Sequence, residues 1–340
     1  MSKAAFLRGI KDFNVAEDCN DSNDYLVKIK VDSCAICGSD IRIFNYGNKR
    51  ISYPAIIGHE VSGTVVESKN QNYQIGDKIS LGADIPCGEC PECKNEKPNL
   101  CKQNLAIGYQ LKGGFSEYLN LNERVFNHGP VVKVGDLNLE LACLGEPLAC
   151  SINGIEKVHM QAGGRVLIFG AGPIGIMIGF LAKTIYKAQI VDFVEVNQYR
   201  KLSLENLNIC DKIFSQKSLE ENIDKIKGTY NYVFTACSVF ETHSLGIKLL
   251  ANGGSINFFG GLPTPSPSIE LVTNELHYQE LTLTGSHGST PKQHLSAINI
   301  IKKNQSFFES LITHRFPLEN INNAFDLASS GKGIKIIIKP

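Results

Sequence analysis

Neither sign of charge is in excess in this chain: 34 Lys and Arg residues balance 34 Asp and Glu, for a formal net charge of zero. Without a bulk field there is no long-range pull toward nucleic acid or an anionic bilayer, so neither partner is expected. A long apolar segment is also missing. The most apolar uncharged run, VLIFGAGPIGIMIGFLA at residues 166–182, falls short of the roughly 20 residues that span a membrane, and its glycines suggest a turn. The start, MSKAAFLRGIKDF, has neither an apolar core nor a small-residue cleavage site, so no secretory signal is expected. No internal repeat or low-complexity segment is present. The chain reads as a cytoplasmic protein of 340 residues, 43% hydrophobic and 20% charged. That is ordinary for a globular chain of two domains or one large one, with a core that needs no disulfides.

Cysteine is not scarce. There are 11, an odd number, which together with the missing export signal argues for thiols that stay free or bind metal. Four of them, Cys87, Cys90, Cys93 and Cys101, fall within CGECPECKNEKPNLC. The C-x2-C-x2-C-x7-C spacing suits tetrahedral zinc. Four sulfur ligands fill the shell and admit no substrate, so such a site is structural. An iron–sulfur cluster is the alternative with the same ligands. Two lysines against three glutamates in this stretch give no basic face for a zinc-ribbon nucleic-acid module.

The first third reads as strands. YLVKIKV alternates, with Tyr25, Val27, Ile29 and Val31 on one face and Lys28 and Lys30 on the other, and VSGTVVE and GDKISL are short and β-branched. From about residue 151 strand and helix alternate: RVLIF, a helix over about 173–186, QIVDFVEV, a polar helix from Gln198, then YNYVFTA, GSINFFG and LTLTG. That order predicts a doubly wound parallel sheet over 152–290 and an α/β fold. Residues 1–151 form a β-rich domain, to which 291–340, ending in the strand IKIIIK, are expected to return.

Gly170, Gly172 and Gly175 form Gly-x-Gly-x-x-Gly between a predicted strand and a predicted helix, with Pro173 and Ile174 inside the motif. The spacing alone is weak; its context makes it a dinucleotide turn. The first glycine turns the chain, the second admits the pyrophosphate and the third lets helix and strand pack. Glu195, twenty residues past Gly175, ends the next strand and suits the ribose hydroxyls, whereas Asp192 lies within that strand. A carboxylate there favours NAD over NADP; nearby Arg200 softens the preference.

A second set of ligand types is scattered: Cys37 in CGSD, His59 and Glu60 in GHE, and Glu146 in GEP. One sulfur, one imidazole and one or two carboxylates can hold a zinc with an open position, as Lewis-acid chemistry requires. Taken singly, each has a plainer reading: a buried thiol, a core histidine, a surface or capping acid.

CGSD, GHEVSGTV, GDKI, the four-cysteine lobe, GGFSEY, LGEPLA and VLIFGAGPIG occur together and in order. In these residues, over nearly its whole length, the chain resembles the zinc-dependent medium-chain dehydrogenases. It is most similar to their polyol and sorbitol dehydrogenase branch, which includes enzymes of sugar-alcohol phosphates. The resemblance implies a GroES-like catalytic domain, a Rossmann domain and an active site in the cleft between them. Two zinc ions per chain are implied, one structural and one catalytic. Cys37 and His59 become ligands of the catalytic zinc, with Glu60 bound directly or exchanging with water, and Glu146 on the metal or its water. Ser39 takes the substrate proton. The implied reaction is NAD-dependent oxidation of a secondary alcohol, a polyol or its phosphate, in a homodimer or homotetramer; an L-threonine or general secondary alcohol dehydrogenase is the neighbouring alternative. Many alcohol dehydrogenases have a histidine five residues after the zinc cysteine, where this chain has Arg42. An arginine cannot act as a base, so the proton leaves by another route and Arg42 becomes a candidate for a cofactor or substrate phosphate. His287 in TGSHGS is a candidate for the substrate pocket. Cys34 and Cys37 form a C-x2-C without the βαβ context of a redox pair.

Overall fold

A computed structural model describes residues 2–19, 25–263 and 267–340. The chain divides into two compact units, residues 1–149 with 288–340, and residues 150–287. Among the described residues no helix is long and apolar enough to cross a membrane.

In the first unit the strand Val27–Ala35 lies near the centre of a seven-stranded sheet. Val27, Ile29 and Val31 are buried while Lys30 is exposed, as alternation demands. Tyr25 precedes the strand. A register irregularity between Val31 and Ser33 ends the alternation, and Ser33, Cys34 and Ala35 are all buried. The pairing carries the chain into Cys37 and the helix Gly38–Tyr46. On one side the strand pairs antiparallel with Glu60–Ser68, which continues through Lys78–Leu81 to Val131–Lys133. On the other lies the C-terminal strand Lys335–Lys339, itself parallel to Ile312–Pro317. The last strand of the chain is therefore a neighbour of the strand that leads to Cys37. Phe13, Phe44, Phe115 and Phe325 pack around one another beneath this region, with centroid separations of 4.9 to 6.4 Å.

The second unit is a six-stranded parallel sheet. Its order is Lys212–Phe214, Ile190–Val194, Arg165–Phe169, Tyr230–Thr235, Leu250–Phe258, Thr282–Gly285. Numbered along the chain this is the 3-2-1-4-5-6 order of a dinucleotide-binding fold, with its switch point beside Arg165–Phe169. The helix after that strand, Pro173–Phe180, closes in a wider π turn, Leu181–Ile185. Its core residues Leu167, Phe169, Val233 and Ile256 are buried.

Candidate metal centres and dinucleotide turn

Cys37 stands at the N-cap of the helix Gly38–Tyr46. Asp40, one turn in and fully buried, accepts a hydrogen bond from the Cys37 backbone N–H at 3.0 Å through Oδ2. Its other oxygen faces His59 Nδ1 at 3.2 Å, off the alignment of a hydrogen bond. One carboxylate thus bonds the cysteine backbone and lies against the imidazole. With Nδ1 turned to Asp40, His59 Nε2 points the other way, 3.3 Å from Ser39 Oγ, and the Cys37 thiol also reaches the ring. Burial by itself lowers the His59 pKa, but Asp40 and Cys37 raise it well above the ordinary value. A sulfur and an imidazole nitrogen braced by a carboxylate are a fitting donor pair for zinc, the brace setting the tautomer.

Gly58, immediately before His59, has φ +94°, and a Cβ there would lie 2.8 Å from Cys34 Sγ and 3.0 Å from the Phe115 ring. Only glycine turns the chain here without displacing that wall, and the turn aims His59.

Glu60 is directed elsewhere. It is buried and pairs with the ammonium of Lys335 from the C-terminal strand. Lys335 Nζ also donates to the Ile36 carbonyl at 3.2 Å. Burial lowers the Lys335 pKa, but Glu60 and then Cys37 raise it, to a net value above the usual. The ammonium therefore holds the residues flanking Cys37 and His59. Glu146 is buried in the first turn of the helix Gly145–Lys157. Arg42 and His287 are exposed, and the His287 carbonyl accepts from Asn153 Nδ2 at 3.3 Å.

Among the described residues, one set of three or more ligating side chains lies close enough for a metal: Cys87, Cys90, Cys93 and Cys101, with all sulfurs within 4.8 Å of one another. Cys90 and Cys93 sulfurs are 3.4 Å apart, and Cys87 and Cys93 sulfurs 3.9 Å. Zinc–sulfur bonds of about 2.3 Å give a tetrahedral edge of about 3.8 Å, so the cage fits. The Cys87 thiol is pulled down to about 6 by the backbone N–H groups of Glu89 and Cys90, while Cys90 is pushed up to about 12. One thiolate forms readily, whereas Cys90 and Cys93 are held above the usual thiol range and need a cation to ionise, which suits a metal cage. Arg124 closes the lobe at both ends, donating to the carbonyls of Ile85, Pro86 and Gln103.

In the second unit each glycine of the turn has its own task. Gly170 has φ +97°, a conformation glycine alone adopts freely. A Cβ on Gly175 would sit 1.9 Å from the Gly170 carbonyl oxygen, so helix and turn pack at backbone distance. Gly172 meets only the far end of Arg200, at 3.7 Å. Its face is open at the N-terminus of Pro173–Phe180, as phosphate binding requires, with Pro173 opening the helix and Ile174 half-exposed. Glu195 Oε2 accepts from Ala171 N–H at 2.7 Å, and Oε1 from Val196 and Asn197 N–H at 2.8 and 2.7 Å. The acid therefore clamps the turn from the next strand. Asp192, buried mid-strand, accepts from the Tyr230 hydroxyl at 2.7 Å.

Residues 23–135 match the alcohol dehydrogenase GroES-like domain and residues 173–303 the zinc-binding dehydrogenase domain. The chain belongs to the zinc-binding alcohol dehydrogenase family. It is 29% identical to an L-threonine 3-dehydrogenase of Bacillus velezensis over 94% of this chain and 92% of that one. To a D-arabitol-phosphate dehydrogenase of Enterococcus avium it is 28% identical, over 94% and 91%. An alcohol dehydrogenase structure from Thermotoga maritima superposes with a TM-score of 0.90 at 25% identity, covering 100% of this chain and 99% of that one. As a zinc-binding dehydrogenase of this family the protein is an NAD-dependent oxidoreductase of the alcohol dehydrogenase type, with the GroES-like plus Rossmann architecture.

Asp40, Lys335 and Tyr109, whose ring centroid lies 5.9 Å from that of His59, stand around the candidate site and were missed by sequence reasoning. Asp40 lies inside CGSD, and its bond to the Cys37 backbone was readable from the i+3 spacing, whereas its contact with His59 was not. Lys335 gave only the weak signal of a cation heading an apolar strand. Tyr109 gave none.

Proposed function

We propose that the protein interconverts a secondary alcohol of a polyol, or of a polyol phosphate, with the corresponding ketone, using NAD(H). Cys37, His59 and a carboxylate from Glu60 or Glu146 hold the catalytic zinc, and Cys87, Cys90, Cys93 and Cys101 the structural one. The observation that carries the reading is the Asp40–His59–Ser39 cluster: a braced imidazole with its outward nitrogen 3.3 Å from a hydroxyl. Zinc, when bound, supplies Lewis acidity toward the substrate oxygen. Ser39 Oγ receives the substrate hydroxyl proton. The Asp40 carboxylate, 3.2 Å from Nδ1, favours the hydrogen on that nitrogen and leaves Nε2 facing Ser39. Gly172 and the helix N-terminus take the pyrophosphate, and Glu195 takes the ribose diol and favours NAD over NADP, with Arg200 beside it.

A panel of polyols, their phosphates and L-threonine, offered with NAD or NADP to zinc-loaded protein, tests this by absorbance of the reduced nicotinamide. Turnover of a polyol or its phosphate, with the higher kcat/KM for NAD, is expected. Turnover of L-threonine alone replaces the polyol reading with the amino-acid one, which the similarity to L-threonine 3-dehydrogenase favours. A preference for NADP removes the assigned role of Glu195. A homodimer or homotetramer in the cytoplasm is part of the same proposal.

A further inference from the structure

Arg50 lies on the loop between the helix Gly38–Tyr46 and His59. Its guanidinium carbon sits 4.6 Å from the centroid of the Tyr109 ring. Arg50 Nη2 donates to Gln110 Oε1 at 3.3 Å, and that oxygen also accepts from Ala106 N–H at 3.1 Å. Both groups that hold the guanidinium are neutral. Among the described residues Arg50 has no carboxylate partner, unlike Arg8 and Arg315, which pair with Asp12 and Glu140. A guanidinium held by a ring face and an amide keeps its full charge and most of its N–H donors unassigned.

Tyr109 joins this cation to the site. Its ring centroid is 5.9 Å from that of His59, and its hydroxyl reaches the Ser39 side chain. The tyrosine is rigidly placed. Gly108 has φ +78°, and a Cβ there would fall 2.9 Å from the Gly58 carbonyl oxygen; one on Gly113 would fall 2.3 Å from that of Ile57. The loop is pressed onto the two residues that precede His59, so Tyr109 and His59 hold a fixed relation. The two ring distances bound the separation of the Arg50 guanidinium carbon and the His59 ring at about 11 Å. A polyol of four or five carbons, with bonds of roughly 1.5 Å, and a terminal phosphate can cover much of that distance.

We infer that Arg50, stacked on Tyr109, is the subsite for the phosphate group of a phosphorylated polyol whose reacting hydroxyl lies at Ser39 and His59. The assignment rests on the polyol reading and decides its open point, the phosphate ester over the free polyol. Arginine suits the task because its planar fork matches phosphate oxygens two at a time. Arg42, exposed on the helix Gly38–Tyr46, is the rival cation.

The test compares kcat/KM for D-arabitol and its terminal phosphate monoester in the zinc-loaded wild type and in Arg50→Ala, Arg50→Lys and Arg42→Ala. The wild type is expected to prefer the ester. In Arg50→Ala the ester-to-polyol ratio should fall roughly 10- to 100-fold, the scale of hydrogen bonds to a charged group, mainly through KM, with Arg50→Lys in between. A ratio unchanged in Arg50→Ala, or one that falls in Arg42→Ala instead, overturns the assignment. If neither compound is oxidised, the polyol reading fails on its own. Calorimetry with the ester then decides the subsite: binding to wild type and not to Arg50→Ala retains it, and equal binding to both removes it.

Discussion

His294 shows how one buried side chain couples stability to pH. Ser80 Oγ donates to the Ala142 carbonyl at 2.7 Å and lies 3.0 Å from His294 Nε2. The serine proton is already spent, so Nε2 carries the imidazole hydrogen and Nδ1 is a bare, buried acceptor without a partner. Burial lowers the pKa from 6.5 to about 4. The unfolded chain therefore binds this proton at a pH where the native state refuses it. The contribution is fully present above about pH 6.5 and is lost as pH falls toward 4, worth about 3 kcal/mol at most. Urea midpoints at about pH 7 and about pH 5 should fall further apart for the wild type than for His294→Gln. Equal losses in the two proteins would assign the acid sensitivity elsewhere.

At the level of elements, two ligand sets are built differently. The four-cysteine lobe comes from a turn, the short helix Pro91–Lys94 and a single 3-10 turn, with little apolar burial of its own; the Arg124 clasp holds it, and the metal proposed there would complete it. Cys37 and His59 are carried by a helix cap and a strand entry embedded in a packed sheet. Cys90→Ala should therefore lower the melting temperature and the zinc content together. Cys37→Ala should stay folded, still bind NADH and fail to turn over. Full activity in Cys37→Ala, or wild-type protein that works with metal only in the lobe, would remove the two-zinc reading. The same contrast explains legibility. A lobe confined to one short segment announces itself by spacing, whereas GHE and CGSD each look ordinary until the sheet brings them together.

For the molecule as a whole, the return of the C-terminal strand matters most. Lys335 and Glu60 are 275 positions apart in the chain, both buried and paired. Removing one member of such a pair leaves an unpaired buried charge, a loss of about 3–5 kcal/mol. Lys335→Ala should be destabilised on that scale and should bind zinc less well at Cys37 and His59, whose neighbours the ammonium holds. The double variant Glu60→Gln, Lys335→Met should recover much of the stability in a denaturant titration. If the single and double variants were equally unstable, the cost would lie in packing and not in the orphaned carboxylate.

What the sequence determined by itself was whatever local backbone geometry dictates. The strand–turn–helix with three glycines, each with its separate steric reason, was readable because its contacts fall within a few residues, and so were the alternating strands and the closely spaced thiols. The architecture followed from the order of such elements. Only the tertiary structure decided which groups complete the candidate site. It placed Asp40 against His59, turned Glu60 toward Lys335, closed Ser80 on His294 and stacked Arg50 on Tyr109. Those pairings depend on strand order and register. Antiparallel pairing of Val27–Ala35 with both Glu60–Ser68 and Lys335–Lys339 brings distant positions together, and no spacing rule within one segment encodes that.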